Sequence, residues 1–235
     1  MKFALSLLSL SILSQSVSAH CESLIFLSLL NYTDPIVDIW TTLIAGSTKS
    51  TGAVRLPQNN SPVTGVESAD ITCNVNPSPA TETVSVAAGS TIGFILDNTI
   101  YHLGPAAIYL GKAPTTAADW DGSGANWFKI AEWGAAFNPF TFKDYGLSQL
   151  TTTLPSDIPS GEYLVRIEQV GLHVVGAPQW YISCAQISVT GGGSASPSKV
   201  SIPGYVSSDD PGLTVNIYYP VPTAYTVPGP AVFTG

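Results

Sequence analysis

Charged side chains are scarce in this chain of 235 residues. Only 10% of the residues are Asp, Glu, Lys or Arg, and the formal net charge is −8. Binding to phosphate groups requires many Lys and Arg side chains, so this composition argues against nucleic acid and anionic membranes as partners. A neutral, hydroxyl-rich polymer suits such a surface better.

The chain also has no apolar run of the roughly 20 residues that a transmembrane helix needs. Its first apolar run, from Phe3 to Leu13, follows Lys2 and precedes small residues at Val17 and Ala19. This order is typical of a secretory signal peptide over residues 1–19. We therefore expect a secreted, extracellular protein whose mature chain, residues 20–235, begins with a histidine and forms a single domain.

Long apolar stripes of helical period are missing, whereas Gly (21 residues) and Pro (18 residues) are plentiful. Four segments instead alternate or run apolar in the way that strands do: Thr83–Val86, Thr91–Leu96, Tyr163–Glu168 and Gln179–Val189. Turn-forming residues separate them. The pattern predicts an all-β protein, a β-sandwich with long loops.

A glycine-rich stretch, residues 191–197, resembles a linker to a second module. The residues that follow it include no cysteine and are too few to bury a core of their own. We therefore interpret the stretch as a long surface loop of the same domain, without a separate carbohydrate-binding module.

Cysteine is rare, with residues only at Cys21, Cys73 and Cys184. Secretion makes a disulfide bond expected, and the odd number leaves one thiol either unpaired or paired between molecules.

Histidine is equally rare: the chain contains His20, His102 and His173. At the start of the mature chain, His20 would offer two ligands, its α-amine and its ring. A second imidazole would complete a three-nitrogen site of the kind that copper accepts. His102 precedes a Gly-Pro turn that can present the ring, although a solvated loop histidine is the plainer interpretation.

Gln179 and Tyr181 lie two positions apart in a predicted strand, so their side chains share a face. Trp180 and Ile182 then point the other way, towards the core. Near His173, a phenol and an amide can provide an axial ligand and hydrogen bonds to bound oxygen. Taken alone, the pair is also consistent with an ordinary polar strand face.

Several segments, in this order along the chain, carry a resemblance to a known family: Ala19–His20, Val54–Pro57 through Ile71–Asn74, His102–Pro105, Tyr109–Lys112, Trp127–Lys129, Leu154–Pro155 through Gly161–Arg166, Gln179–Cys184, Asp210–Gly212 and Val227–Pro230. In these segments the chain resembles the fungal lytic polysaccharide monooxygenases of auxiliary activity family 9, formerly classed as glycoside hydrolase family 61. The resemblance covers about residues 53–235 together with His20.

The resemblance implies an immunoglobulin-like β-sandwich and one copper ion. The copper would be held by the amine and ring of His20, by the ring of His102 and, axially, by Tyr181. His173 and Gln179 match the residues that hydrogen-bond oxygen species and relay protons beside the metal. The connection from His173 to Gln179 is shorter than the resemblance leads us to expect, and a missing stretch can displace an imidazole from the metal.

Two further assignments rest on the same resemblance. Cys73 and Cys184 match a family disulfide, which would leave Cys21 as the odd thiol. Tyr205 matches a loop aromatic that stacks on cellulose. A tyrosine folded back on the core is the alternative for Tyr205.

The function implied is copper-dependent oxidative cleavage of cellulose or a related β-glucan at C1 or C4 of a glucose unit. The reaction would use oxygen or hydrogen peroxide and an external electron donor, and the enzyme would act as a monomer. A copper-binding or cellulose-binding β-sandwich without oxygenase activity is the alternative. A glycoside hydrolase needs paired carboxylates, and the spacing of Asp119, Asp121 and Glu132 indicates no such pair.

Overall fold

Strands make up nearly all of the regular structure in the computed structural model, which describes residues 39–235. The strands are β1 (Trp40–Ala45), β2 (Thr48–Ser50), β3 (Val54–Arg55), β4 (Val84–Ala87), β5 (Thr91–Leu96), β6 (Ala106–Lys112), β7 (Ala125–Trp133), β8 (Ala135–Ala136), β9 (Thr141–Phe142), β10 (Gln149–Thr153), β11 (Gly161–Gly171), β12 (Gln179–Thr190) and β13 (Val200–Ser201). A 3-10 turn, η1 (Ala69–Ile71), and a one-turn helix, α1 (Pro211–Thr214), are the helical elements of this part. The predicted signal peptide, His20 and Cys21 lie outside it.

The strands form two main sheets and one short hairpin. One sheet has four strands in the order β10-β5-β1-β2. The other has seven, in the order β13-β7-β6-β11-β12-β3, with β4 pairing parallel to β12. The hairpin consists of β8 and β9. The four strands predicted from the sequence correspond to β4, β5, β11 and β12, and the predicted immunoglobulin-like β-sandwich is confirmed.

The first core lies between the two main sheets. Leu43 and Phe94 from the four-stranded sheet pack in one buried cluster with Ile108, Val165 and Ile187 from the seven-stranded sheet. Alternate residues of each strand point into this space, as in other sandwiches. Each fully buried side chain of this size contributes about 1.5–3 kcal/mol.

A second core covers the outer face of the seven-stranded sheet. Trp127 and Trp180 on that face pack with Ile71, Ile202 and Leu213, which come from the loops and short helices. As a result, β11 and β12 are buried on both faces. None of the described helices has the length and apolarity needed to cross a membrane.

The glycine-rich stretch after β12, residues 191–197, lies at the protein surface. The Gly193 N–H donates to the Ile158 carbonyl (2.9 Å) and the Ala195 N–H to the Asp157 carbonyl (2.8 Å). The chain beyond it supplies Ile202 to the second core. Within residues 39–235 the stretch is therefore a loop.

The predicted disulfide between Cys73 and Cys184 is confirmed, with a Cα–Cα distance of 5.3 Å. It ties the segment after η1 to β12. Arg166 holds the same segment, because its Nε and Nη2 atoms donate to the carbonyls of Thr72 (2.9 Å) and Ile71 (2.7 Å). The two cross-links fix the loops of the second core to the central strands.

Candidate metal centre and its surface

The candidate site lies where the ladder between β11 and β12 ends. Gly171 pairs with Gln179 and Gln169 pairs with Tyr181 in the antiparallel register. Alternate residues of a strand share a face, so Gln179 and Tyr181 project on one side of the sheet. The sequence-based assignment of these two side chains to a common face is consistent with this register.

The loop before β6 brings His102 to the same place. The Leu172 N–H donates to the Leu103 carbonyl and the Val170 N–H to the Pro105 carbonyl, both at 2.8 Å. Gln169 Nε2 donates to the His102 carbonyl at 2.9 Å. These bonds attach the histidine backbone to the end of β11.

Gly104 allows this close approach. A Cβ atom built at that position would lie 1.7 Å from the Val170 carbonyl oxygen. Only glycine therefore fits here. The Gly104–Pro105 pair, for which the sequence predicted a turn, is the point at which the loop contacts β11.

His102 and His173 lie against each other, with ring centroids 4.2 Å apart and planes 14° apart. Both side chains are half-buried. Gly171 lies beside both: a Cβ built there would lie 2.9 Å from His173 Nδ1 and 3.3 Å from the His102 Cβ atom. The short connection after His173 therefore does not separate the two imidazoles.

Tyr181 lies next to His102, with ring centroids 4.9 Å apart and planes 14° apart. Its phenol donates to Gln179 Oε1 at 3.0 Å. The Tyr181 side chain is only 7% exposed, so its hydroxyl is held in a fixed direction by its neighbours. Four of the five predicted catalytic residues thus converge, and the fifth, His20, lies outside the described residues.

The donor atoms of this cluster suit copper. Imidazole nitrogen is a favoured copper ligand, and a phenol oxygen can serve as a weaker axial one. Within residues 39–235 there is no group of three or more His, Cys, Asp and Glu side chains placed to hold a metal ion. The described residues bring two such donors together, the His102 ring and the Tyr181 phenol, and these suit one part of a copper site.

The assignment of Tyr205 to cellulose stacking is corrected by the structure. Its side chain is 8% exposed, and its hydroxyl donates to Glu168 Oε2 at 2.6 Å. The ring meets Tyr109 edge-on and lies 5.3 Å from the Arg166 guanidinium carbon. Burial, together with the nearby Glu168 carboxylate, raises the pKa of Tyr205. Tyr205 is therefore folded back on the core, the alternative considered above.

Two adjacent tyrosines that sequence patterns did not single out lie at the surface, and one of them contacts His173. The Tyr218 hydroxyl donates to the His173 carbonyl at 3.0 Å, and this side chain is 52% exposed. Tyr219 is 83% exposed, and Val174 and Val175 are 44% and 50% exposed. We call these four residues the exposed apolar face. The adjacent tyrosines were visible in the sequence, but their distance from His173 was not.

The acidic residues considered for hydrolysis are engaged elsewhere. Glu132 pairs with Lys129 Nζ at 2.8 Å. Asp119 accepts from the Thr116 hydroxyl at 2.6 Å, and Asp121 accepts from the Ser123 N–H at 2.8 Å. The backbone hydrogen bond from Ser123 lowers the pKa of Asp121. An acid of this kind is a poor proton donor at neutral pH.

Comparison with known proteins places the chain in one group. Residues 36–225 match the model of Auxiliary Activity family 9, formerly GH61. The AA9 family lytic polysaccharide monooxygenase H of Malbranchea cinnamomea is 51% identical over 194 residues, which cover 77% of this chain and 84% of that protein. The AA9 family lytic polysaccharide monooxygenase E of Podospora anserina is 45% identical over 242 residues, which cover 100% of this chain and 75% of that protein.

A solved structure extends the comparison to the fold. The crystal structure of a cellulose-active polysaccharide monooxygenase from M. thermophila superposes with a TM-score of 0.73 at 29% identity. The superposition covers 83% of this chain and 98% of that protein.

Proposed function

The chain belongs to Auxiliary Activity family 9, formerly glycoside hydrolase family 61, and from this membership we propose that it is a secreted enzyme that cleaves cellulose at C1 or C4 of a glucose unit. The enzymes of this family are copper-dependent monooxygenases that cleave polysaccharides oxidatively, and they use one copper ion and an external reductant. They are generally extracellular. The finer assignment of substrate and oxidant follows from the resemblance to this family, and the geometry described above supports the choice of site residues.

In this proposal the copper is held by the α-amine and ring of His20, by the ring of His102 and by the phenol of Tyr181. Copper bound there supplies the one-electron chemistry that activates oxygen or hydrogen peroxide. The ring of Tyr181 lies 4.9 Å from that of His102, and its hydroxyl is bonded to Gln179. Gln179 would therefore position the Tyr181 phenol.

His173 and Gln179 form the oxygen-binding side of the site in this proposal. The His173 ring lies flat against His102, so a proton moved by His173 is moved directly beside the metal ligand. The Gln179 carbonyl oxygen accepts from Tyr181, which leaves its NH₂ group to donate. The two side chains would hold the oxidant and pass it protons.

The exposed apolar face holds the polymer. The side chains of this face carry no formal charge. Tyr218 is bonded to the His173 carbonyl, and Val174 and Val175 follow His173 in the chain. Tyrosine rings stack on the apolar faces of sugars and expel water from both surfaces. A net charge of −8 disfavours the binding of anionic polymers, whereas cellulose is uncharged and is not repelled.

The observation that supports this function best is the meeting of His102, His173 and Tyr181 at one end of the sandwich. We expect the wild-type protein, given copper and ascorbate, to release oxidised oligosaccharides from cellulose, detected by mass spectrometry. His102→Ala is expected to lower product release by at least about 100-fold, since removal of a metal ligand costs several kcal/mol of barrier stabilisation.

Two controls accompany this experiment. Tyr145→Ala removes a 51% exposed aromatic ring that belongs neither to the cluster nor to the exposed apolar face, and it should leave product release unchanged. Mass spectrometry of the mature N-terminus tests whether His20 begins the chain. Copper binding without any oxidised product from the wild-type protein would indicate instead a binding protein without oxygenase activity, and equal product from His102→Ala would remove this site from the reaction.

A further inference from the structure

A buried amide occupies a position on β11 where the alternation of the strand predicts an apolar residue. Val165 and Ile167 belong to the first core, and Gln169 is the next residue on the same face of the strand. The Gln169 side chain is 3% exposed. Burial of an amide costs free energy unless the amide is hydrogen-bonded, so the partner of Gln169 has to offset this cost.

The partner of the Gln169 amide is the peptide of His102. Gln169 Nε2 donates to the His102 carbonyl at 2.9 Å, across 67 positions of the sequence. Gln169 also pairs with Tyr181 in the ladder between β11 and β12. Side chains that lie directly opposite in an antiparallel pair share a face, with Cβ atoms about 4.5–5.5 Å apart. The amide is therefore bonded to one proposed copper ligand and is the cross-strand neighbour of another.

Backbone hydrogen bonds hold the loop on both sides of His102. Before it, the Ile100 N–H donates to the Leu147 carbonyl at 2.9 Å. After it, the Leu103 carbonyl accepts from the backbone at the end of β11 at 2.8 Å. The His102 carbonyl, by contrast, accepts from a side chain. A substitution of Gln169 can therefore remove the bond to His102 while the backbone bonds on both sides are retained.

The orientation of the His102 peptide influences the direction of the His102 ring. The ring packs against those of His173 and Tyr181, with centroids 4.2 Å and 4.9 Å away. A rotation of the peptide changes the backbone angles at His102, and the Cα–Cβ bond moves with them. Hydrogen bonds outside the ligand atoms orient metal ligands in this way, and their loss typically lowers metal affinity about 10–100-fold.

We propose that Gln169 is a positioning residue of the copper site: its side-chain amide fixes the His102 peptide and thereby directs the His102 ring towards the metal. The inference rests on the proposed function, since it takes His102 as a copper ligand. Gln169 acts through His102 and is not itself a ligand. Substitutions at this position would change the affinity and geometry of the site without changing its donor atoms.

The test compares the purified mature protein with its Gln169→Met variant, which nearly keeps the length of the side chain and removes the N–H donor. We expect the Cu(II) dissociation constant, measured in competition with a chelator, to rise by at least about tenfold. The electron paramagnetic resonance spectrum of the copper-loaded variant should also change. Gln169→Asn, whose amide is one methylene shorter and does not reach the carbonyl, should behave likewise and replaces Gln169→Met if that variant does not fold.

Gln186→Met is the matched control. Gln186 is also 3% exposed, and its Nε2 atom donates to the Glu82 carbonyl at 3.3 Å. It lies five positions from Tyr181 along β12, which is about 17 Å at roughly 3.4 Å per residue. This variant loses a buried amide away from the site, so its thermal unfolding midpoint should fall while its copper affinity and spectrum stay like those of the wild type.

Two results with copper would overturn the proposal. One is wild-type affinity with an unchanged spectrum in the Gln169 variants, and the other is an equal change in Gln186→Met.

The imidazole NMR signals of His102 in the metal-free protein separate this inference from the proposed function. If the wild type binds no copper, the proposed function fails. His102 signals that move in Gln169→Met and stay in place in Gln186→Met would still support the positioning role of Gln169, whereas signals that are the same in all three proteins would refute it.

Discussion

Asp144 shows how one residue can set the pH dependence of stability. Its side chain is fully buried after β9, and within the described part of the chain neither carboxylate oxygen has a hydrogen-bond partner. Burial raises the pKa of Asp144 from 3.8 to about 8. The folded protein therefore keeps a neutral carboxylic acid at this position in neutral solution.

The sign of the effect follows from proton linkage. The unfolded chain loses this proton near pH 4 and the folded chain near pH 8, so the folded state binds more protons in between. The contribution of Asp144 to stability falls by about 1.4 kcal/mol per pH unit across that interval. We expect Asp144→Asn to raise the free energy of unfolding relative to the wild type by roughly 3–4 kcal/mol more at pH 8 than at pH 5.

Urea denaturation of both proteins at the two pH values measures this difference. If the free energies of unfolding of the variant and the wild type differ by the same amount at pH 5 and at pH 8, the raised pKa of Asp144 is contradicted.

Residue identity does not determine whether a loop tyrosine is buried or exposed, as Tyr205 and Tyr218 show. Both are loop tyrosines in a proline-rich part of the chain. Tyr205 is buried because Glu168 accepts its hydroxyl hydrogen, whereas Tyr218 bonds a backbone carbonyl and keeps half of its surface exposed. The partners are distant in sequence, so the local pattern around each tyrosine could not distinguish them.

At the scale of secondary-structure elements, the C-terminal end of β11 sets the positions of the side chains in the candidate site. The antiparallel register with β12 fixes Gln179 and Tyr181 on one face, and the loop that precedes β6 attaches to the last residues of β11. Gly171 terminates β11 between the two histidines and has no side chain to separate them. The distance between the imidazoles is therefore set by the strand end.

Gly171→Ala is expected to push the His173 ring away from His102, because real Cβ atoms do not approach other heavy atoms to 2.9 Å. We expect product release from cellulose to fall roughly tenfold, as small misplacements of groups near the reacting centre commonly cost this much. The electron paramagnetic resonance spectrum of the copper-loaded protein should change as well.

Thermal unfolding is the control for Gly171→Ala: the midpoint should move by only a few degrees, as expected for a local repacking near the surface. An unchanged spectrum together with wild-type activity would show that the contact between the two rings is not needed.

At the scale of the whole molecule, the stability of the fold depends on two hydrophobic cores. The first core holds the sheets together, and the second packs the loops and the C-terminal segment onto the outer face of the larger sheet. The disulfide between Cys73 and Cys184 crosses this second layer and links residues 111 positions apart. A cross-link over so long a separation strongly restricts the unfolded chain.

The double variant Cys73→Ala/Cys184→Ala is therefore expected to lose about 2–5 kcal/mol of the free energy of unfolding. Equilibrium urea denaturation at constant pH measures the change. If the urea midpoint of the double variant equals that of the wild type, the cross-link contributes nothing to the stability of the folded state, and packing and hydrogen bonds such as those of Arg166 hold the second core.

The sequence by itself determined the strand-rich fold, the family and the residue types of the site. The alternation of apolar residues along a strand is a local pattern, and the number of histidines and cysteines can be counted. Both can therefore be taken directly from the sequence. The four predicted strands were recovered for this reason, whereas the disulfide was predicted because Cys73 and Cys184 match the pattern of the family that the sequence resembles.

Only the tertiary structure decided which side chains meet. It placed the His173 ring against that of His102, buried Tyr205 in the core and left Tyr218 exposed beside the site. Each of these outcomes depends on contacts between residues far apart in the chain. Such contacts are set by the packing of whole sheets and loops, because a side chain is buried or exposed according to what the rest of the chain brings to it.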